Sequence, residues 1–185
     1  MNQAGNAPQF YPFNIKKRSG KYYVGSPGYH VGANGALTLN NLIATPFVVG
    51  APQSFSGLCI ASLGTAGAFA RLGIYTDNGG KPDVLLWDSG AVSISVAKAT
   101  DFAFGSATVY SGIIWLCYVA QTVTGSVTKY GSGATSAFVN TIPYSQGATM
   151  GLSQPSITGP LPASWGSTYN EELANNTAMI FMKTS

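Results

Sequence analysis

Charged side chains are scarce in this 185-residue sequence, where they make up 8% of the residues, against about 25% in an ordinary soluble domain. Surface charge keeps proteins soluble and apart, and charged residues are depleted at the centre of protein interfaces. Aromatic residues make up 12% of the chain, more than a disordered chain carries. We therefore expect a folded chain whose surface is largely covered by neighbouring subunits. A secreted β-domain with an uncharged polar surface is the alternative.

Groups that carry out catalysis are also few. The single histidine, His30, lies in a glycine-rich loop, and neither cysteine, Cys59 or Cys117, has a histidine nearby in the sequence. The sequence contains no Gly-x-Ser-x-Gly elbow and no phosphate-binding loop of the Walker type. The turn at Asp77–Asp83 lacks the terminal glutamate of a calcium loop. The sequence thus predicts a non-enzymatic protein without a cofactor or a metal site.

Both cysteines lie within apolar, strand-like runs, and free cysteine is among the most buried residue types. We expect two buried thiols, with a disulfide between them as the alternative. The six carboxylates leave one enzymatic rival open, a hydrolase of cell-wall or capsule sugars, which would need two of them across a cleft. No feature of the sequence selects such a pair.

Basic residues are concentrated at the start of the chain. Lys16, Lys17, Arg18 and Lys21 are four of the nine Lys and Arg residues, and five basic residues face six acidic ones in the rest. This distribution provides no basic stripe for nucleic acid. No run approaches the roughly 20 apolar residues of a membrane helix, and the first residues lack the pattern of a signal peptide. We expect neither a nucleic-acid nor a membrane partner.

Residues 1–35 differ from the rest of the chain and predict an extended N-terminal arm that docks on a neighbouring protein. Phe10, Tyr11 and Phe13 would be its apolar anchors, because aromatic residues dominate interface energetics. The basic residues Lys16, Lys17 and Arg18 would meet acidic groups of the partner. The alternative is an edge strand that folds back on its own domain.

From residue 36 to 185, short strand-like segments alternate with dividers rich in Gly, Pro, Asn and Ser, which predicts an all-β domain, a β-sandwich of jelly-roll type. Ile113–Ala120 does not alternate and should be a central strand buried on both faces. A short helix is expected at Ser167–Ala174, because an N-cap precedes acidic residues. The expected strands are 36–39, 45–49, 54–63, 68–75, 84–88, 91–96, 108–121, 126–130, 141–144 and 178–183.

The three tryptophans divide into two groups. Trp87 and Trp115 lie within strands and should belong to the core. Trp165 lies in a proline-rich loop near Tyr169, and an exposed pair of rings there could contact a glycan. A core position for Trp165 is the alternative.

A hairpin motif resembles a known family. Ala70–Pro82 contains Arg71-Leu72-Gly73-Ile74-Tyr75-Thr76-Asp77-Asn78-Gly79-Gly80-Lys81-Pro82 and is followed by Leu85-Leu86 and Asp88-Ser89-Gly90-Ala91-Val92. This pattern resembles a β-sandwich domain of tail-fibre and other virion structural proteins of tailed bacteriophages. Looser matches occur at Ile114–Ala120, Gly159–Trp165 and Ala178–Met182, so that the resemblance covers about residues 55–185.

The resemblance implies a bacteriophage virion protein with no catalytic residues to carry over, often a homotrimer. One sandwich without a fibre shaft argues against an adhesin and favours an adaptor, collar, tip or decoration role. We expect a tail-fibre, tail-appendage or adaptor subunit located in the virion. A capsid decoration protein and a carbohydrate- or host-receptor-binding module are the alternatives. The expected partners are copies of the chain itself and other virion proteins.

Overall fold

The computed structural model describes residues 18–24, 32–130, 149–173 and 176–185. These ranges contain eleven strands, whose ladders are all antiparallel. The strands are β1 (Tyr22–Val24), β2 (Gly32–Ala36), β3 (Leu42–Leu63), β4 (Phe69–Asp77), β5 (Pro82–Asp88), β6 (Val92–Ser93), β7 (Ala97–Ala120), β8 (Ser126–Tyr130), β9 (Thr149–Gln154), β10 (Asn170–Leu173) and β11 (Phe181–Thr184). The predicted all-β fold is confirmed.

Two very long strands organise the sheet. β3 has 22 residues and β7 has 24, and they pair from Ile43↔Tyr118 to Leu63↔Ala97. Between Val49↔Gly112 and Gln53↔Tyr110 the register shifts, because Gly50–Pro52 lie opposite Ser111 alone. Such bulges bend a strand and let it pass from one packed sheet to another.

The bend brings the two halves of the ribbon to one core. The rings of Phe47, before the bend, and Phe55, after it, meet edge to face with centroids 6.0 Å apart. Side chains from both halves belong to a single buried cluster with Leu58, Ile60 and Leu116. Burying each such side chain contributes about 1.5–3 kcal/mol. The result is a sandwich-like arrangement; its jelly-roll character stays a prediction.

We call the two halves the first and second layers. The first layer is built on Leu42–Val49 and Gly112–Ala120, with β9 beside β3 and then β4 and β5 beyond β7. The second layer is built on Gln53–Leu63 and Ala97–Tyr110, with β11 and then β1 beside β3.

The first layer is buried on both faces. In β7, Ile114, Leu116 and Tyr118 face the cluster between the layers, whereas Trp115 and Cys117 face a second cluster on the outside. The segment between β9 and β10 closes that second cluster by contributing buried residues such as Leu161 and Trp165. The predicted double burial of Ile113–Ala120 and the core position of Trp115 are confirmed.

The expected strand boundaries need several corrections. Residues 45–49 and 54–63 are parts of one strand, because the ribbon bends without breaking. Segment 97–107 also belongs to β7, because pairing with β3 compensates for its weak strand propensity. Segment 91–96 is reduced to the two residues of β6, and the expected strand at 141–144 lies outside the described residues.

The helix expected at Ser167–Ala174 is wrong. Asn170–Leu173 is instead strand β10, which pairs with β9 from Asn170↔Ser153 to Leu173↔Thr149. Local capping preferences are weak, and pairing with a neighbouring strand overrides them.

Candidate functional site

The residues of the hairpin motif form a bonded network on β4 and β5. Arg71 of β4 donates to Asp88 of β5 over 2.6 Å and to the side-chain oxygen of Gln121 over 3.1 Å. The Asp88 carboxylate also accepts the backbone N–H groups of Gly90 and Leu161 at 2.9 and 3.1 Å. Arg71 and Asp88 are only 15% and 19% exposed. The ion pair therefore ties the hairpin to the loop that covers the first layer.

The turn of the hairpin is fixed in the same way. Asp77 accepts the backbone N–H of Gly80 at 3.3 Å and the indole N–H of Trp115 at 2.8 Å. Gly79 and Gly80 have φ of 62° and 86°, values that favour glycine. The predicted hairpin between β4 and β5 is confirmed, and its acidic turn residue binds a core tryptophan.

Two further residues of the motif hold the covering loop. A Cβ atom on Gly73 would overlap the terminal methyl group of Leu161 and lie 3.2 Å from the carbonyl oxygen of Trp87, so a larger residue there would displace the Leu161 side chain. The hydroxyl of Tyr75 donates to the carbonyl oxygen of Pro162 over 2.8 Å. Burial raises the pKa of Tyr75 well above its ordinary value, with nearby Cys117 and Asp88 adding to the shift. Tyr75 is thus an uncharged structural donor.

The structure places Trp165 in the core. Its side chain is 9% exposed, and its ring meets that of Tyr75 edge to face with centroids 5.4 Å apart. A ring in this position offers no flat face to a sugar. Tyr169 is half-buried beside the same cluster, and the ammonium group of Lys81 lies 4.9 Å from its ring centroid. The two rings therefore do not form the exposed aromatic surface expected for glycan binding.

The outer edge of β5 in the first layer and the outer edge of β7 in the second layer differ in how they are covered. The outer edge of β5 is covered, because the backbone N–H of Leu85 donates to the carbonyl oxygen of Ala163 over 2.9 Å and the backbone N–H of Trp165 donates to the carbonyl oxygen of Asp83 over 2.7 Å. The first part of β7, Ala97–Tyr110, pairs with β3 on one edge. No strand within the described ranges pairs with its other edge. The outward N–H and C=O groups of such an edge can pair with another chain.

Exposed apolar side chains lie on these two strands. The ring of Trp87 on β5 contacts that of Phe104 on β7, with centroids 4.8 Å apart, so the two strands lie on the same side of the sandwich. Val84 and Leu86 of β5 are 48% and 46% exposed, and Val109 of β7 is 62% exposed. We call the edge at Ala97–Tyr110, together with Val84 and Leu86, the open side.

The residues Ala97–Phe104 were not predicted to form a strand. A signal was present in Ala97–Phe104, where Thr100, Phe102 and Phe104 recur at every second position, a spacing typical of a strand with one buried face. Burial confirms that one face of this segment points inward, since Phe102 belongs to the core and Phe104 packs beside it.

The outer face of the second layer carries a charged cluster. Asp101 accepts from the Tyr22 hydroxyl at 2.7 Å and from the Lys183 ammonium at 2.8 Å. Burial opposes ionisation of Asp101, but hydrogen bonds from Lys183, Tyr22 and Cys59 outweigh it and lower its pKa. The same bond with Asp101 raises the pKa of Lys183 and is the largest cause that raises the pKa of Tyr22. The cluster joins β1, β7 and β11.

The described part of the predicted arm lies on its own domain. β1 pairs with β11, and Arg18 is exposed while its carbonyl oxygen accepts from the Thr184 hydroxyl at 2.6 Å. β2 pairs with β8 along its whole length. Residues 18–24 and 32–36 therefore belong to the sheet, as the alternative reading expected, and residue 36 is not a structural boundary. The proposed anchors Phe10, Tyr11, Phe13, Lys16 and Lys17 lie outside the described residues.

Both cysteines are free and buried, as expected. Burial, with a smaller contribution from Asp101, raises the pKa of Cys59 to about 12. Burial alone raises the pKa of Cys117 well above its ordinary value. Because the thiolate is the reactive form, both thiols are inert at neutral pH.

Within the described ranges, no three His, Cys, Asp or Glu side chains lie close enough together to hold a metal ion. The same part of the chain has no helix with the length and apolar character of a membrane span. No protein-family model matches the sequence, and a search of curated proteins finds no significant match.

Proposed function

We propose that this chain is a non-enzymatic structural protein of a bacteriophage virion, a tail-fibre, tail-appendage or adaptor subunit that self-associates as a homotrimer. The observation that carries the proposal is the open side, where no strand of the described ranges pairs with the outer edge of β7 and apolar residues are exposed, in a chain that is 8% charged. The assignment to a virion is supported by the sequence resemblance of the β4–β5 hairpin.

The roles of the motif residues support a structural function. Arg71 and Asp88 bind each other and the covering loop, and Asp77 binds Trp115 and the turn. Each of these groups is engaged in holding one part of the fold against another. A resemblance carried by such residues is a resemblance in architecture.

Several features of the open side support a second copy of the chain as its occupant. Long, unprotected edges lead to pairing between chains, and proteins that stay monomeric commonly place charges along them. The charged residues along the exposed edge from Ala97 to Tyr110 are only Lys98 and Asp101. The Asp101 carboxylate is already bound to Tyr22 and Lys183.

A closed ring of three copies requires two different surfaces on each subunit. The second layer offers two end strands, β7 on one side and β1 on the other. We propose that β7 of one copy meets β1 of the next copy around the threefold axis. Phe10, Tyr11, Phe13, Lys16, Lys17 and Arg18 would then dock the assembly on another virion protein.

Sedimentation velocity of the full chain tests self-association. We expect an oligomer in the wild type and dissociation of Val109→Lys and Leu86→Lys, because each change would bury an unpaired charge in an apolar interface. The dissociation constant should rise at least tenfold, which corresponds to about 1.4 kcal/mol. Val123→Lys is the matched control, since Val123 is also exposed but lies between β7 and β8. A wild-type monomer, or equal dissociation by Val123→Lys, would contradict the proposal.

The location in the particle needs a separate experiment. Antibody labelling of intact phage particles should mark the tail if the chain is an appendage or adaptor subunit. Labelling spread over the head would instead support the alternative of a capsid decoration protein, which could use the same open side.

A further inference from the structure

A groove of about 480 Å³, lined by both polar and apolar atoms, lies on the first layer, away from the open side. One wall is the connection from β2 to β3, which includes Asn40 and Asn41. The other walls are the segment that follows β9, with Ser156 and Thr158, and the exposed start of β10 at Asn170. No residue of β5 or of the first part of β7 lines the groove, so an inference about it is independent of self-association.

The lining of the groove is hydrogen-bonding but almost uncharged. Seven of the nine described residues that line it are Asn, Thr, Ser or Glu, and Glu172 is the single ionisable one among them. Amide and hydroxyl groups both donate and accept hydrogen bonds, which suits the hydroxyl groups of a neutral ligand. Among the described residues, the lining contains no Lys, Arg or His, and those are the residues that bind phosphate and carboxylate groups.

The Glu172 carboxylate in this lining is held in place by the hydrogen bonds that it accepts. Its Oε1 accepts from the Asn41 amide at 3.1 Å and from the Ser153 hydroxyl at 2.5 Å. Its Oε2 accepts from the Asn176 amide over a longer distance, 3.4 Å. A carboxylate offers about four acceptor positions, so Oε2 has room for a ligand hydroxyl while the carboxylate stays fixed in orientation.

The backbone of the groove is strained on both sides. Asn40 and Ser156 have φ of 57° and 68°, and they are the two non-glycine residues with positive φ among the described ones. Both line the groove. The N–H of Asn40 donates to Ala120 over 2.8 Å, and the carbonyl of Asn40 accepts from Ile157 at 2.9 Å. Positive φ in residues other than glycine is uncommon and is found more often at ligand-binding sites.

Two exposed apolar residues complete the lining. Leu39 is 37% exposed, and Pro155 lies exposed on the opposite wall. A sugar ring presents apolar C–H faces between its hydroxyl groups, so it matches a surface that mixes amides with small apolar patches. A peptide ligand would require pockets for large anchoring side chains, whereas this groove is shallow and lined by short polar ones.

We infer that the groove binds a neutral saccharide, with the amides of Asn40 and Asn170 and the Thr158 hydroxyl bonding to sugar hydroxyls. The site differs from the one expected at Trp165, whose ring is buried. The ligand class follows from uncharged hydrogen-bonding groups, a fixed acceptor at Glu172 and apolar contacts on both walls.

The test is an NMR titration of the ¹⁵N-labelled full chain with neutral tetrasaccharides of glucose, mannose, galactose and N-acetylglucosamine. We expect at least one sugar to cause saturable shifts confined to residues 38–41, 155–158 and 170–172. The titration should extend to about 10 mM, tenfold above a Kd of about 1 mM.

Two variants remove ligand contacts while keeping the backbone. Asn40→Gly suits the positive φ, and Asn170→Ala changes an exposed side chain. Each should weaken binding about three- to tenfold, the value of one hydrogen bond, while Ser106→Ala on β7 should leave the affinity unchanged. The inference is overturned if no sugar gives saturable shifts, if the shifts lie elsewhere, if both variants bind like the wild type, or if only a neutral peptide of Gly, Ser and Asn binds in the groove.

Discussion

The two layers of this sandwich share the strands β3 and β7 but differ in what covers them. The first layer is buried on both faces, since the segment between β9 and β10 packs against Trp115 and Cys117. The same segment bonds to the outer edge of β5. The second layer has one buried face, and its outer face carries the exposed cluster of Tyr22, Asp101 and Lys183.

This difference indicates where a partner would bind. The chain uses its own residues, Ala163 and Trp165, to cover the edge of the first layer, which would otherwise expose backbone groups. Within the described ranges it provides no such cover for β7 at Ala97–Tyr110. We therefore expect the first layer to contribute most of the folding stability, and we propose that the open side is the assembly surface.

The largest loss of stability should come from a substitution in the part of β7 that is buried on both faces. Trp115→Ala removes a side chain that is 2% exposed and leaves Asp77 without its indole donor. We expect a loss of about 3–5 kcal/mol in the free energy of unfolding, measured by urea denaturation. Tyr22→Ala on the outer face of the second layer is the contrast and should cost about 1 kcal/mol or less. Equal losses for the two variants would show that the layers do not differ as described.

A smaller effect is expected from the ion pair beneath the covering loop. Asp88→Asn places an amide where Arg71 and the N–H of Leu161 both donate, and leaves partly buried donors unpaired. The free energy of unfolding should fall by about 1–3 kcal/mol. Faster hydrogen exchange at residues 159–165 would show that the loop has loosened. Unchanged exchange there would mean that Asp88 does not hold it.

The exposed ion pair gives a matched comparison. Asp101 and Lys183 are 43% and 35% exposed, and exposed pairs stabilise little because water and salt screen them. Asp101→Asn should therefore have at most about a third of the effect of Asp88→Asn in the same urea experiment. An effect as large as that of Asp88→Asn would contradict the contrast between the two layers.

The small contribution of Asp101 should depend on pH in one direction. Its pKa is lower in the folded chain than in the unfolded chain, so its stabilising effect is complete above the unfolded pKa, near 4. As the pH falls through the lower folded pKa, the carboxylate is protonated and the contribution is lost. The stability difference between wild type and Asp101→Asn should thus vanish on acidification. A difference that grows at low pH would be inconsistent with this assignment.

The sequence predicted the features that local patterns control. Asn78-Gly79-Gly80 predicted the hairpin turn because glycine adopts positive φ there. The unbroken apolar run Ile113–Ala120 predicted a central strand because burial on both faces removes alternation. In each case the signal lies within a few residues of the element that it describes.

The features that depend on distant contacts could not be predicted. Whether Trp165 is buried depends on Tyr75, which lies 90 positions earlier and supplies the ring against it. The strand at Asn170–Leu173 depends on β9, and the local capping pattern favoured a helix instead. The groove joins Asn40 to Ser156 and Asn170, three positions that no local pattern connects.

The most direct test of the account is hydrogen–deuterium exchange of the full chain at about 1 µM and about 100 µM, a range that spans micromolar self-association. We predict that backbone amides of Ala97–Ala103 and of Tyr22–Val24 exchange more slowly at the higher concentration, while those of Ile113–Ala120 are equally protected in both samples. Identical exchange of Ala97–Ala103 at the two concentrations would contradict the claim that this edge is an assembly surface.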